Sequence, residues 1–182
     1  MKRTVTNTLL AGFMLLGVLL ACSSGYETDK ANQLVGEGNS SIEEGKKYFK
    51  DAEEKKDKML HADVSKLAEA RAIAAEAIRA YDQAAAKAKE ASGKFEEASK
   101  LKLSDVYKQY LDLKVKEFNK RADLIAAARE IPQALVDSQS RSSFVSRANA
   151  ATEKANKLNQ EAGDLSDQAD KLQKDNADTF KK

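Results

Sequence analysis

The sequence has very few of the residues from which catalytic and metal sites are usually built. Its 182 residues include no tryptophan, one proline, one cysteine and one histidine. A lone cysteine excludes an internal disulfide framework, and His61 has no second histidine with which to form a metal site. No glycine-rich phosphate loop follows a predicted strand, because no strand is predicted. We therefore expect a protein that is not an enzyme and needs no cofactor, with His61 solvated or capping a helix.

The chain also lacks an excess of charge of either sign. Lysine and arginine number 31, and aspartate and glutamate number 29. Lys2 and Arg3 account for the difference, so residues 22–182 carry 29 charges of each sign. No bulk field favours a polyanion, and we expect no nucleic-acid partner.

Only one long apolar run is present, at residues 9–21, and it contains no charge. It is shorter than the roughly 20 residues that span a bilayer. A positively charged start, Met1-Lys2-Arg3, precedes it. This order is typical of a secretory signal peptide, which has to be set aside when the fold is considered.

The apolar run ends in Leu19-Leu20-Ala21-Cys22, which resembles the lipobox of bacterial lipoprotein precursors. The resemblance implies a signal peptide over residues 1–21, cleavage between Ala21 and Cys22, and a diacylglycerol thioether on Cys22. A thiol suits this chemistry because its thiolate is a strong nucleophile. The alternatives are a short membrane anchor or an ordinary secretion signal with an incidental cysteine.

The same resemblance implies a location. Ser23 after the lipidated cysteine implies the outer membrane of a diderm host, with the protein facing the periplasm. In a monoderm host the lipid would lie in the outer leaflet of the cytoplasmic membrane. Residues 22–29 form a polar, lipidated tether, and residues 30–182 form one domain. With Cys22 acylated no free thiol remains, so packing alone has to stabilise this domain.

The domain is predicted to be all-α, an elongated up-and-down bundle of three to four long, alanine-rich, coiled-coil-like helices. Leu, Ile, Val and Phe make up only 28 of residues 22–182, but they recur with helical periodicity. The predicted helices cover about residues 30–60, 63–101 and 105–137, followed by a C-terminal helix. That last helix should pack antiparallel within the chain or against a partner. Its heptad stripe comprises Phe144, Ala148, Ala151, Ala155, Leu158, Ala162, Leu165, Ala169 and Leu172.

Local signals refine these helices. The second carries two apolar stripes, which predicts a central position in the bundle, with Asp63 as its N-cap. Ser104 is the predicted N-cap of the third helix, and Pro132 should kink or end that helix. Residues 137–143 are predicted to be a loop. The glycines of the first helix, such as Gly38 and Gly45, should weaken it by about 1 kcal/mol each.

One segment of the third predicted helix suggests binding. Residues 105–122 interleave aromatic side chains, Tyr110 among them, with five basic residues. This pattern fits a docking face for an anionic glycan or peptidoglycan strand, and an amphipathic core helix fits it equally. The basic residues are Lys108, Lys114, Lys116, Lys120 and Arg121.

The two ends of the chain resemble the peptidoglycan-linked major outer-membrane lipoprotein. The similar features are Cys22-Ser23-Ser24, the alanine-rich heptads and Phe180-Lys181-Lys182. The resemblance implies covalent attachment of peptidoglycan to Lys182. That family has a single short helix that trimerises, whereas this sequence predicts several helices.

Taken together, these patterns predict a lipid-anchored envelope protein with a structural or protein-docking role. Its expected partners are the membrane, through the lipid, and an unidentified envelope protein or peptidoglycan. Two alternatives stay open: a peptidoglycan tether acting through Lys182, and an accessory subunit of an envelope enzyme or transport complex.

Overall fold

A computed structural model describes residues 27–63 and 66–180. Helices account for nearly all of these two ranges, and no strand occurs within them, which confirms the predicted all-α fold. Each long helix measures about 50 Å at 1.5 Å per residue. The helices are α1 (Thr28–Leu60), α2 (Leu67–Ser99), α3 (Asp105–Asp137), α4 (Arg141–Asp175) and the short α5 (Ala177–Phe180).

The four long helices run alternately up and down, and each packs on the next one in the chain. The helices α1 and α3 touch only marginally, and α1 does not contact α4 within the described ranges. The bundle is therefore open along one side. Its two interior helices are α2 and α3, so the two apolar stripes of α2 correctly predicted a central position.

Contacts between the turns define two poles. At the first, here called the N-terminal pole, the Glu27 backbone N–H donates to the Lys102 carbonyl at 2.9 Å. Phe180 of α5 contacts Tyr107 at this pole. At the opposite pole, Arg71 donates to the Ser138 carbonyl at 2.9 Å, which joins the start of α2 to the end of α3. Both chain ends of the described domain therefore lie at the N-terminal pole.

The core consists mostly of alanine, with a few large side chains placed at intervals along the bundle. Phe95 and Phe118 lie in the cluster nearest the N-terminal pole. Tyr81 lies in a middle cluster, and Met59 and Ile131 lie in a third. Because alanine occupies so little space, neighbouring helices pack closely, as they do in coiled coils with small core residues.

The heptad stripe predicted for α4 faces α3. Ala151, Ala162 and Ala169 are buried, and the other six members are half-buried. The helix therefore packs antiparallel within the chain, as one of the two predicted arrangements had it. Among the described residues its other helical contact is with the short α5, so most of its surface is exposed.

Two glycines of α1 have a packing role that the sequence did not indicate. A Cβ atom at Gly38 would lie 3.2 Å from the Phe95 ring, and one at Gly45 would lie 3.1 Å from the Lys87 Cβ. These positions allow α1 to approach α2 closely. Gly38 and Gly45 thus lower the helix propensity of α1 and at the same time allow closer packing between α1 and α2.

Several predicted boundaries hold and others are wrong. Ser104 caps α3, because its Oγ accepts a hydrogen bond from the Tyr107 N–H at 3.3 Å. Asp63 does not cap α2, which begins at Leu67 after Lys66.

The predicted loop 137–143 is shorter in the structure. The helix α4 starts at Arg141, where the Ser140 Oγ accepts from the Ser143 N–H at 3.2 Å.

Pro132 does not end α3, which continues to Asp137. The proline is fully buried. The turn that follows it is held from outside, because Arg71 of α2 donates to the carbonyls of Leu135 at 3.4 Å and Ser138 at 2.9 Å. These bonds satisfy carbonyls at the C-terminal end of α3, where the helix itself supplies few partners.

Candidate functional site

The predicted modification sites lie outside the described residues. Ala21 and Cys22 precede Glu27, and Lys182 follows Phe180. The first described residue, Glu27, is five positions after Cys22. Both ends of the described domain lie at the N-terminal pole, so each predicted modification site is a few residues along the chain from that pole.

His61 lies at the C-terminal end of α1 and is exposed. Its Nδ1 is 2.8 Å from the Asp57 carbonyl oxygen, which places it at a helix terminus, as predicted. Within residues 27–63 and 66–180, no group of three or more His, Cys, Asp or Glu side chains could hold a metal ion.

The five basic residues of the predicted docking face do not form one surface. Lys114 and Arg121 are mostly buried, with 14% and 21% of their side chains exposed. Lys120 pairs with Glu161 of α4 at 2.7 Å, and of the five only Lys116 is an exposed residue. The amphipathic-helix interpretation of this segment therefore describes its structure better than a continuous glycan-binding face.

Glu117 organises these cations and was not recognised from the sequence. Its side chain is 1% exposed. One carboxylate oxygen lies 2.5 Å from the Lys114 Nζ, and the other accepts from Arg121 at 2.7 Å. Both cations flank the Phe118 ring, at 5.0 and 5.7 Å from its centroid. A signal was present, since Tyr110, Glu117, Leu124 and Ile131 are spaced by seven residues.

Tyr110, which the sequence singled out, belongs to an aromatic cluster at the N-terminal pole. Its ring centroid is 5.2 Å from that of Phe180 and 6.4 Å from that of Tyr107. Burial raises the pKa of Tyr110 above its ordinary value and raises the pKa of Tyr107 to about 12. The Tyr107 hydroxyl donates to the Asn32 Oδ1 at 2.7 Å. The cluster therefore joins α1, α3 and α5, and both tyrosines stay protonated at neutral pH.

A cleft of about 90 Å³ lies between α1 and α3, above α2. It exists because α1 and α3 both pack on α2 but touch each other only marginally. Residues of two core clusters line it, the one that contains Phe118 and the one that contains Ala88. The floor consists of two small side chains of α2, Ala84 and Ala88. Ile42 and Phe49 of α1 form one wall, and Phe118 and Ile125 of α3 form the other.

Two charged residues line this cleft, and both are cations. Lys46 belongs to the α1 wall and Arg121 to the α3 wall. Their acidic partners, Glu43 and Glu117, come from their own helices at i−3 and i−4. The cleft thus combines an apolar interior with positive charge on two facing walls, the arrangement found in many small-molecule sites.

Comparisons with known proteins give no identification. No family model, curated protein or solved structure matches this chain. Among the described helices, none has the length and apolar character needed to cross a membrane.

Proposed function

We propose that the protein is a lipid-anchored lipoprotein of the bacterial cell envelope whose helical bundle serves as a docking body. The observation that carries this proposal is the sequence Leu19-Leu20-Ala21-Cys22, with the only cysteine of the chain at the position that a lipobox requires. Two or three acyl chains on one cysteine are enough for stable membrane attachment, whereas a single chain is marginal.

The fold is compatible with such an anchor. Glu27 is five positions after Cys22, and five residues reach at most about 17 Å. A lipid on Cys22 therefore keeps the N-terminal pole close to the membrane. The opposite pole is then about 50 Å away along the helices.

Exposed apolar side chains favour docking at that opposite pole. Leu60 ends α1 and Leu67 begins α2, with 49% and 47% of their surface exposed. Val145, in the first turns of α4, is 43% exposed. They are the exposed large hydrophobic residues of the described chain, and all three lie near the turns farthest from Cys22. All three lie at one pole, so we place the docking surface there.

Replacing Cys22 by serine should abolish membrane attachment. The variant lacks the thiol that receives the lipid, and no second cysteine can substitute for it. Intact mass measured on protein from a diderm bacterial host should show cleaved, acylated wild-type chain and unacylated Cys22→Ser chain. A wild-type mass equal to the unmodified precursor would refute the anchor.

A photoreactive residue at position 60 should crosslink the protein to a discrete envelope partner. The same group at Lys100, an exposed position of the N-terminal pole, is the matched control. We expect an adduct from position 60 only, and we expect it to disappear in Leu67→Ser. Identical adducts from both positions, or recovery of monomer alone, would count against docking at this pole.

A second candidate function is a peptidoglycan tether through Lys182. Phe180 lies at the N-terminal pole, two residues before Lys182, so lipid and peptidoglycan would join the same end of the bundle. With both attachments at one pole, the length of the bundle would not bridge the distance from membrane to sacculus. This geometry favours the docking role. Detergent-extracted sacculi decide the matter: covalently retained protein that is lost in Lys182→Ala would establish the tether. An accessory role in an envelope enzyme or transport complex is the docking proposal with a particular partner.

A further inference from the structure

The cleft between α1, α2 and α3 points to a ligand that nothing in the proposed function requires. We propose that it binds a small anionic amphiphile, a short alkyl chain that carries a carboxylate or phosphate head. The alkyl chain lies on Ala84 and Ala88, and the head lies between Lys46 and Arg121. This inference is independent of the lipid anchor.

The size of the cleft sets the length of the chain that it accepts. An apolar cavity of about 150 Å³ accommodates benzene, which has six carbons. On that scale the roughly 90 Å³ of this cleft hold about four carbons. A longer chain extends past the walls, and a bulky ring does not fit.

The position of the cleft explains why an apolar group should enter it. Ala84 is fully buried, and Ala88, Phe118 and Ile125 are less than 10% exposed, so the interior is apolar. Residues of two core clusters line the gap. An alkyl chain placed there contacts both clusters and replaces dispersion contacts that the gap forfeits.

Charge selects the head group. The charged residues that line the cleft are Lys46 and Arg121, on opposite walls. Each keeps its ion pair with a carboxylate of its own helix, Glu43 or Glu117, and an anionic head would share the cation with it. Lys46 keeps 31% of its side chain exposed beside Glu43, so an oxygen atom can approach it from solvent. A cationic head would meet no carboxylate among the residues that line the cleft.

The test is a titration of the purified protein with hexanoate, in which binding is monitored through the amide chemical shifts in NMR spectra. Hexanol and hexylammonium are the matched probes. We expect a Kd on the order of 1 mM for hexanoate, because it has eight non-hydrogen atoms and each contributes the binding free energy that is usual for a small ligand. Shifts should concentrate around Ala84 and Ala88. Hexanol should bind at least about threefold more weakly, and hexylammonium about tenfold more weakly.

Two variants separate the tail from the head. Ala88→Leu fills the cleft and should weaken hexanoate at least about tenfold, whereas Ala86→Leu, at an exposed position of the same helix, should not. Lys46→Gln should weaken hexanoate several-fold and leave hexanol unchanged, with Lys47→Gln as its exposed control.

Equal binding of hexanoate and hexylammonium by the wild type would overturn the proposal, and this comparison needs no variant to fold. Unchanged affinity in a folded Ala88→Leu would overturn it too. So would shifts centred on Leu60 and Leu67, since they would show association with exposed apolar residues instead of entry into the cleft.

Discussion

Replacing Phe95 by alanine is expected to lower the free energy of unfolding by about 3–5 kcal/mol. The side chain is 1% exposed, and its ring centroid lies 5.5 Å from that of Phe118. Most other core residues are alanines, whose side chains are too short to fill the space that the ring would leave. A loss of this size is a large part of the stability of an ordinary domain. Urea unfolding followed by circular dichroism measures it.

Phe144→Ala is the matched control, because the same atoms are removed from a half-buried position at the start of α4. It should cost about 1–2 kcal/mol, because less apolar surface leaves contact with the protein. Equal losses for the two variants would mean that the cluster around Phe95 and Phe118 does not dominate the core.

The same site explains how a glycine inside a helix contributes to stability. Gly38→Ala improves helix propensity by about 1 kcal/mol, but its Cβ meets the Phe95 ring at 3.2 Å and the Ala91 carbonyl at 3.4 Å. We expect a net loss of about 1 kcal/mol in the wild type, because overpacking costs more than the propensity returns. In the Phe95→Ala background, Gly38→Ala should become stabilising. Gly36→Ala, with open space around its Cβ, should stabilise both backgrounds.

Such a reversal illustrates what sequence patterns can and cannot predict. The periodicity that predicted the four long helices depends on side chains of one helix, which the sequence lists in order. The stripes of α2 and α4 were found in this way. The effect of Gly38 depends on which residue of another helix lies opposite, and helical periodicity does not specify that register. The same limit applies to the end of α3, where Arg71 from α2 supports the turn after Pro132.

The candidate sites divide along the same line. The lipobox is a local signal, so Cys22 could be proposed from four consecutive residues. The cleft results from the separation of α1 and α3, a relation between helices that no single stripe shows. Glu117 shows the limit most clearly. Its heptad spacing with Tyr110 and Leu124 is present in the sequence, but a carboxylate on an otherwise apolar stripe is more readily assigned to a solvated face.

Replacing Glu117 by alanine is expected to destabilise the protein by about 3 kcal/mol, because it removes the carboxylate that pairs with two mostly buried cations. Lys114 and Arg121, which both lie near the Phe118 ring, would then lose that ion pair. Their long side chains can move partly toward solvent, so the loss should fall at the lower end of the range for broken buried ion pairs. Thermal and urea unfolding measure it.

Glu117→Gln separates charge from shape, since it retains an acceptor oxygen and nearly the same volume. It should lose most of the 3 kcal/mol if charge dominates, and about 1 kcal/mol if hydrogen bonding does. Glu161→Ala removes the carboxylate of a solvent-accessible pair with Lys120, and it should cost much less than Glu117→Ala.

A triple replacement decides whether the ion cluster stabilises the bundle or only tolerates its own burial. In Lys114→Met/Glu117→Met/Arg121→Met the charges and their desolvation are removed together, and methionine fills comparable space. We expect this variant to be about as stable as the wild type, although Glu117→Met alone should be destabilised by about 3 kcal/mol. The coupling would show that Glu117 is needed because Lys114 and Arg121 are there. A triple variant as unstable as Glu117→Met would instead mean that the carboxylate itself stabilises the bundle.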